Sequence, residues 1–267
     1  MAFHEAAGAA DCADVDSCAC AQSPDIDFKF AFQPIVDVRS GTVFAQEALV
    51  PGPNGEGAGS VLGQVDDTNL HAFDRKCRIG AVKAASRLMG HRTELLSLNT
   101  MPNSVYDPAT CLRTTIAAAQ AAQFPIDRIM FEMTEHEAIE DLDHFTTIVE
   151  SYKEMGFITA IDDFGAGFSE LIEIINLPIT ELKFDRSIVR AMRTSQKARD
   201  LCSALTGFCQ MHQITSVAEG VESAQDRSNV IRGGFNVAQG YLFGRKMARQ
   251  EFLASLEYGK RGEGHSG

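Results

Sequence analysis

Short apolar runs alternate with longer amphipathic stretches from Phe28 to beyond residue 240. Such runs are typical of buried strands, and apolar residues at helical spacing are typical of helices that pack on one face. The runs predict strands over residues 30–36, 43–49, 95–98, 129–133, 159–161, 181–184, 216–218 and 240–243. The amphipathic stretches predict helices over residues 73–89, 108–122, 144–155, 195–211 and 224–231. An alternation of this kind over about 240 residues predicts an α/β fold, a (β/α)8 barrel.

The first two predicted strands break the alternation, because only residues 37–42 separate them. This link contains the turn-forming pair Ser40-Gly41. A parallel crossover needs a dozen or more residues, whereas an antiparallel hairpin closes with a short turn. We therefore expect a TIM-like barrel whose first strand pair is antiparallel.

Both ends of the chain differ from the region between them. Residues 1–26 are rich in Ala, Asp, Ser and Cys without periodicity, and residues 259–267 are polar and glycine-rich. We expect a flexible N-terminal segment over residues 1–26, a barrel domain over residues 27–258 and a disordered tail over residues 259–267. Cys12, Cys18 and Cys20, with His4, are either a metal or redox element or incidental thiols. Their spacing does not match a regular zinc pattern.

The charge of the chain restricts its partners. The formal net charge is −12, whereas nucleic-acid backbones bind to basic surfaces, so we expect no DNA or RNA partner. The apolar runs are too short to cross a bilayer, and the first residues lack the basic and apolar regions of a secretory signal. We expect a cytoplasmic protein without a membrane partner, whose seven cysteines are reduced thiols.

Polar residues stand at the C-terminal ends of most predicted strands, where barrel enzymes place their catalytic groups. A single acidic residue there is as often a helix cap. Several carboxylates in one rim would repel each other unless cations neutralise them, and oxygen ligands favour Mg²⁺ or Mn²⁺. The pattern predicts a site with two metal ions in a rim formed by Glu47, Asn99, Glu132, Asp162, Asp163, Lys183, Glu219 and Gln239.

Lys183 and the pair Asp162-Asp163 are the most informative members of this rim. Adjacent carboxylates that leave one strand can serve two metals, with one of them bridging. Lys183 ends an otherwise apolar predicted strand, where it would orient an attacking water or stabilise phosphate charge. The alternative is a structural salt bridge to Asp185 or Asp163.

Seven segments in order resemble the motif series of EAL domains, which are phosphodiesterases of bacterial cyclic di-GMP signalling. The resemblance spans about residues 28–250, and its motifs are Glu47-Ala48-Leu49, Leu98-Asn99, residues 131–135, residues 162–167, residues 182–185, residues 218–222 and Gln239-Gly240-Tyr241. It implies hydrolysis of cyclic di-GMP to linear pGpG with two Mg²⁺ or Mn²⁺ ions.

The resemblance also implies a role for each matched residue. Glu47, Asn99, Glu132 and Asp162 would hold one metal, and Asp162, Asp163 and Glu219 the other, with Lys183 on the catalytic water. Gln33, Gln239, Glu222 and Glu135 would lie beside the substrate or behind the ligands. The loop over residues 164–170, tethered by Glu135, would couple activity to a homodimer.

Three positions depart from the family pattern. Pro51 stands where an Arg usually reaches a substrate phosphate, Glu170 stands where glycine is common, and Lys246-Met247 lacks the proline that often follows the Arg. Arg245 and Lys246 are candidate replacements for the missing cation. The departures leave two alternatives open, namely a cyclic di-GMP receptor or regulatory module with little or no turnover, and a hydrolase of another phosphodiester.

Overall fold

The computed structural model describes residues 26–66, 68–90, 92–101, 105, 107–134, 142–166, 177–245 and the backbone of residues 247–248. The predicted N-terminal segment, apart from Ile26, and the predicted tail lie outside these residues. Cys12, Cys18, Cys20, Glu135, Glu170 and Lys246 lie outside them as well. The predicted domain limits therefore stay predictions.

Eight strands close into a barrel, and a ninth short strand pairs with the start of the first. Strands β2 to β8 run parallel to one another, whereas β1 is antiparallel to both β2 and β8. The prediction of a barrel with an antiparallel first strand pair is confirmed. The strands are β1 Ala31–Asp37, β2 Val43–Leu49, β3 Leu95–Thr100, β4 Ile129–Thr134, β5 Ile158–Phe164, β6 Glu181–Phe184, β7 Thr215–Ala218, β8 Val237–Gln239 and β9 Met247–Ala248.

Local side-chain bonds fix the hairpin between β1 and β2. Oδ1 of Asp37 accepts hydrogen bonds from the backbone N–H of Arg39 at 2.9 Å and of Ser40 at 2.7 Å. These bonds to Ser40 and Arg39 hold the pKa of Asp37 below its ordinary value. Gly41 then adopts a φ of +74°, which a residue without Cβ tolerates. The five-residue link can therefore reverse the chain within one turn.

Helices pack around the barrel wall, and the predicted ones begin and end within a few residues of their expected limits. They are α1 Ala58–Leu62, α2 Leu70–Met89, α3 Pro108–Ala121, α4 Leu142–Glu154, α5 Arg186–Met192, α6 Gln196–Met211 and α7 Ala224–Arg232. Helices α1 and α5 are absent from the sequence prediction because each is too short to show a full amphipathic period. Within the described part of the chain, no helix combines the length and apolar character needed to cross a membrane.

The predicted position of the closing strand is wrong. The strand was expected over residues 240–243, but β8 covers Val237–Gln239 and residues 240–243 form a turn. The turn closes through the N–H of Phe243, which donates to the carbonyl of Gly240 at 3.0 Å. Tyr241 and Leu242 resemble strand residues by type, yet they are 59% and 40% exposed. Gln239 therefore ends the closing strand instead of preceding it.

Apolar side chains fill the lower barrel and the space between the barrel wall and the helices, and polar residues lie at the C-terminal end of the barrel. The lower barrel is filled by a small buried cluster that includes Ile35, Met130 and Val217. A larger cluster, which includes Phe131 and Phe184, packs between the barrel wall and the helices. Because side chains alternate along a strand, residues next to the outward-facing Phe131 and Phe184 point into the barrel. These neighbours include the predicted site residues on β4 and β6.

Candidate active site

The predicted rim residues that end strands do lie together at the C-terminal end of the barrel. The strand register pairs Asn99 with Glu132, and direct contacts join Glu47 to Asn99 and to Gln239. Lys183 contacts carboxylates from three further strand ends. The rim is therefore one cluster and not a set of separate helix caps.

Lys183 forms the centre of this cluster. Its Nζ lies 2.9 Å from Oε2 of Glu132, 3.0 Å from Oδ1 of Asp162 and 2.9 Å from Oε1 of Glu219. The lysine is only 1% exposed. The structural alternative was a salt bridge to Asp185 or Asp163, and neither residue is among these three partners. Asp185 instead begins α5, where its Oδ1 accepts a hydrogen bond from the N–H of Ser187 at 2.8 Å.

The cluster holds more negative charge than one ammonium can neutralise. Burial raises the pKa of Glu132 well above its ordinary value, and Glu47 and Asp162 raise it further against the effect of Lys183. Burial and Asp162 likewise raise the pKa of Glu219 to about 7. Burial opposes the charge of Lys183, yet Glu132, Glu219 and Asp162 outweigh it and place its pKa well above the usual value.

This excess of buried carboxylates fits divalent cations. Asp162, Asp163 and Glu219 each offer an oxygen within 4.8 Å of the others. Apart from the ion pair with Lys183, the two buried carboxylate oxygens of Glu132 have no hydrogen bond of good geometry among the described residues. The Ser97 hydroxyl, close enough to lower the pKa of Glu132, falls short of that geometry. Buried oxygen donors of this kind are the ligands that Mg²⁺ and Mn²⁺ prefer.

Two side-chain amides orient Glu47. Nδ2 of Asn99 donates to Oε1 of Glu47 at 2.9 Å, and Nε2 of Gln239 donates to Oε2 at 2.5 Å. Gln33 pairs with Glu47 across the hairpin, and its side-chain amide donates to the carbonyl of Gly244 at 3.4 Å. The hydrogen bonds from the side-chain amides of Asn99 and Gln239 therefore fix the direction of the Glu47 carboxylate before any ligand binds.

An irregularity in β5 brings Asp162 and Asp163 to the rim together. The pairing of β5 with β6 shifts between Ile161 and Phe164. Asp163 has a φ of +58°, and its N–H donates to Oδ1 of Asp162 at 2.9 Å. Asp tolerates this left-handed conformation better than most residues. The shift ends the alternation that would otherwise send adjacent side chains to opposite faces.

Gly220 is a site position that the strand pattern does not reveal. It follows Glu219, has a φ of +66°, and a Cβ there would collide with the Cβ of Arg186 at the start of α5. The N–H of Glu219 donates to the carbonyl of Phe184 at 3.0 Å. The close approach keeps the ends of β6 and β7 together. In the sequence, the signal for Gly220 is the dipeptide Glu219-Gly220 at a strand end.

Glu222, another predicted site residue, contacts arginines and not the carboxylates around Lys183. Its carboxylate faces Nη2 of Arg193 at 3.3 Å and Nη2 of Arg190 at 3.7 Å. Arg193 also pairs with Asp226, with Nε to Oδ1 at 2.7 Å. The structure therefore places Glu222 in a partly exposed ion-pair network.

The departure at position 51 lies on the rim. The carbonyl of Pro51 accepts a hydrogen bond from the N–H of Lys29 at 3.0 Å, just beyond the end of β2. Of the loop predicted to carry the dimer contact, only residues 164–166 are described.

Comparisons with known proteins agree with this geometry. A family model described as "EAL domain" matches residues 21–246. Cyclic di-GMP phosphodiesterase NbdA of Pseudomonas aeruginosa is 28% identical over 247 residues, which are 88% of this chain and 31% of that protein. The chain thus spans less than two thirds of the curated relatives that it matches over most of its length.

Solved structures give the same fold. A standalone versatile EAL protein from Vibrio cholerae O395, in a c-di-GMP-bound form, superimposes with a TM-score of 0.80 at 41% identity, over 85% of this chain and 95% of that chain. The manganese and cyclic di-GMP complex of Klebsiella pneumoniae BlrP1 superimposes with a TM-score of 0.79 at 28% identity, over 85% of this chain and 58% of that chain. The barrel with one reversed strand, its rim of carboxylates around Lys183 and these matches together show that the chain belongs to the EAL domain family.

Proposed function

We propose that the chain is a cyclic di-GMP phosphodiesterase that hydrolyses its substrate to linear pGpG. Family membership and the name of the relative NbdA support this activity. The similar protein from Vibrio cholerae was solved with c-di-GMP bound. The observation that carries the proposal is the contact of Lys183 with Glu132, Asp162 and Glu219, since it joins the acidic groups of three strand ends in one site.

The acidic rim would hold two Mg²⁺ or Mn²⁺ ions. By their positions in the family motifs, Glu47, Asn99, Glu132 and Asp162 would bind one ion, and Asp162, Asp163 and Glu219 would bind the other. Bound ions of this kind stabilise phosphoryl charge and lower the pKa of a bound water. The manganese complex of BlrP1 supports the choice of metal.

The side chains of the protein have separate roles in this proposal. Once the metal ions bind the carboxylates that Lys183 faces, its Nζ would contact the attacking water and orient it toward phosphorus. The amides of Asn99 and Gln239 would keep the Glu47 carboxylate in its binding direction. The apolar barrel floor below the rim keeps bulk water away from that side. Groups held in place in a dry site stabilise developing charge without reorganisation.

A single assay tests the activity. Purified chain is incubated with cyclic di-GMP and Mn²⁺, and the products are separated by chromatography. We expect pGpG to accumulate, and we expect excess chelator to stop it and added Mn²⁺ to restore it. Bound nucleotide and bound metal without any product would contradict the phosphodiesterase and favour the receptor alternative. Rapid cleavage of other phosphodiesters with none of cyclic di-GMP would favour the broader hydrolase.

The proposal includes a homodimer formed through the loop after Asp163. Size-exclusion chromatography with light scattering measures the mass in solution. We expect about twice the chain mass of 29.0 kDa. A single-chain mass at all concentrations, in active protein, would remove the dimer from the proposal and leave the hydrolase intact.

A further inference from the structure

The turn after β8 presents an aromatic ring and a cation at the same end of the barrel as the carboxylates. Tyr241 is 59% exposed, and Arg245 is exposed as well. The guanidinium carbon of Arg245 lies 5.0 Å from the centre of the Tyr241 ring, within the range of a cation–π contact. Both residues follow closely after Gln239, which contacts Glu47.

Backbone hydrogen bonds hold this turn in place. The N–H of Val221 donates to the carbonyl of Gln239 at 3.0 Å, and the N–H of Leu242 donates to the carbonyl of Val221 at 3.1 Å. On the other side, the amide of Gln33 donates to the carbonyl of Gly244 at 3.4 Å. The exposed ring therefore stands on an anchored turn, between the strand ends that carry the site.

Two rim positions do not offer a cation to the substrate. Lys183 is buried and already faces three carboxylates, and position 51 carries a proline. An anionic diester that approaches the acidic rim therefore gains from a positive charge beside it. Arg245 supplies a guanidinium, which can bind phosphate oxygens with two parallel hydrogen bonds.

We propose that Tyr241 stacks on a guanine base of cyclic di-GMP and that Arg245 binds the phosphate next to it, in place of the Arg missing at position 51. The assignment rests on the proposed function for the identity of the nucleotide. Aromatic rings bind nucleobases by stacking, and a stacked base contributes to affinity without being a site of the chemistry. Tyr241 and Arg245 therefore act on binding and not on the hydrolytic step.

The test measures binding and turnover separately in the full chain. Calorimetry with Ca²⁺ in place of Mn²⁺ gives the Kd for cyclic di-GMP with little turnover, and assays with Mn²⁺ give KM and kcat. We expect Tyr241→Ala to raise Kd and KM about tenfold or more, with kcat nearly unchanged, and Tyr241→Phe to bind like the unaltered chain. Arg245→Met is expected to raise KM similarly, and Arg245→Lys to recover part of the loss.

Leu242→Ala is the matched control, because Leu242 is an exposed neighbour on the same turn without a ring or a charge. Equal Kd values for Tyr241→Ala, Leu242→Ala and the unaltered chain would overturn the stacking. If Tyr241→Ala weakens nucleotide binding while the unaltered chain shows no turnover, the stacking is retained and the phosphodiesterase activity is rejected. No nucleotide binding by the unaltered chain would overturn both.

Discussion

Among single residues, Lys183 shows why the acidic rim is compatible with bound cations. It is buried among acidic groups that it cannot neutralise alone, and burial together with the neighbouring carboxylates raises the pKa values of Glu132 and Glu219. Such a cluster is stable only while its charge is balanced, because a buried charge without a partner costs several kcal/mol. Binding of the proposed metal ions and the stability of the folded chain would therefore be linked at this residue.

Replacing Lys183 with Met tests that link. We expect kcat to fall at least about a hundredfold, since the group that orients the water is gone. In chelator the variant should melt below the unaltered chain, because three carboxylates lose their partner. Mn²⁺ should raise its Tm more than it raises the Tm of the unaltered chain.

The matched control for this variant is Lys197→Met, which removes an exposed lysine on α6. The control should keep its kcat and its response to Mn²⁺. Turnover of Lys183→Met close to that of the control would show that Lys183 has no catalytic role.

Asp163 combines the role of a proposed metal ligand with an uncommon backbone conformation, at a φ of +58°. Both Asp163→Ala and Asp163→Gly should lose most turnover because both remove the carboxylate. Alanine also carries the cost of the left-handed conformation, whereas glycine does not. We therefore expect the free energy of unfolding in chelator to be about 0.5–1 kcal/mol higher for Asp163→Gly. Equal stability in urea titrations would contradict the backbone argument.

At the scale of elements, a buried ion pair within α2 lies away from the rim, and its arginine also bonds to α3. Nε of Arg78 lies 2.8 Å from Oδ2 of Asp74, and Nη1 donates to the hydroxyl of Thr115 at 2.6 Å. Both charged side chains are almost fully buried. Asp74 therefore holds the guanidinium of Arg78 in place within α2, and the bond from Arg78 to Thr115 ties α2 to α3.

The Arg78–Asp74 pair gives a double-mutant prediction. Arg78→Met alone should destabilise the chain by about 3–5 kcal/mol, because it leaves Asp74 buried without its partner. The double variant Asp74→Leu with Arg78→Met should recover most of that loss, since two apolar side chains need no charge compensation. Denaturant unfolding measures both, and a double variant as unstable as the single one would refute the charge argument.

The limits of sequence reasoning also show at this scale. The reversal of β1 could be predicted because the short link of residues 37–42 excludes a parallel crossover. The closing strand could not be placed, since Tyr241 and Leu242 have strand-like side chains and only their exposure reveals a turn. Lys183 could be singled out, but its partners could not, because the contacts with Glu132, Asp162 and Glu219 depend on the closure of the barrel.

At the scale of the whole molecule, buried acids control the response of the metal-free protein to pH. Glu181 begins β6, and burial raises its pKa from 4.5 to about 8, although Thr215 and Lys183 oppose the shift. Burial gives Glu219 a pKa of about 7. Between the unfolded and the folded pKa values, the folded chain binds more protons than the unfolded chain. Its free energy of unfolding therefore falls as pH rises from about 4.5 to about 8.

Glu181→Gln should flatten that dependence. In chelator, we expect the variant to be more stable than the unaltered chain at pH 8.5, by a margin on the order of a few kcal/mol, and nearly equal at pH 5. The control Glu150→Gln, an exposed residue of α4, should follow the unaltered chain at both pH values. Urea titrations at each pH measure the free energy of unfolding. The same dependence on pH in all three proteins would show that Glu181 ionises freely.

The reversed first strand also decides where the polypeptide enters the domain. Ala31, the first residue of β1, pairs with Leu49, the last residue of β2, so the chain arrives at the end of the barrel that carries the acidic rim. In a barrel whose first strand runs with the others, it would arrive at the opposite face. A module fused ahead of residue 26 would therefore be attached on the side of the acidic rim. A short rigid linker there would let it obstruct access to the rim, and a long flexible one would leave the rim open.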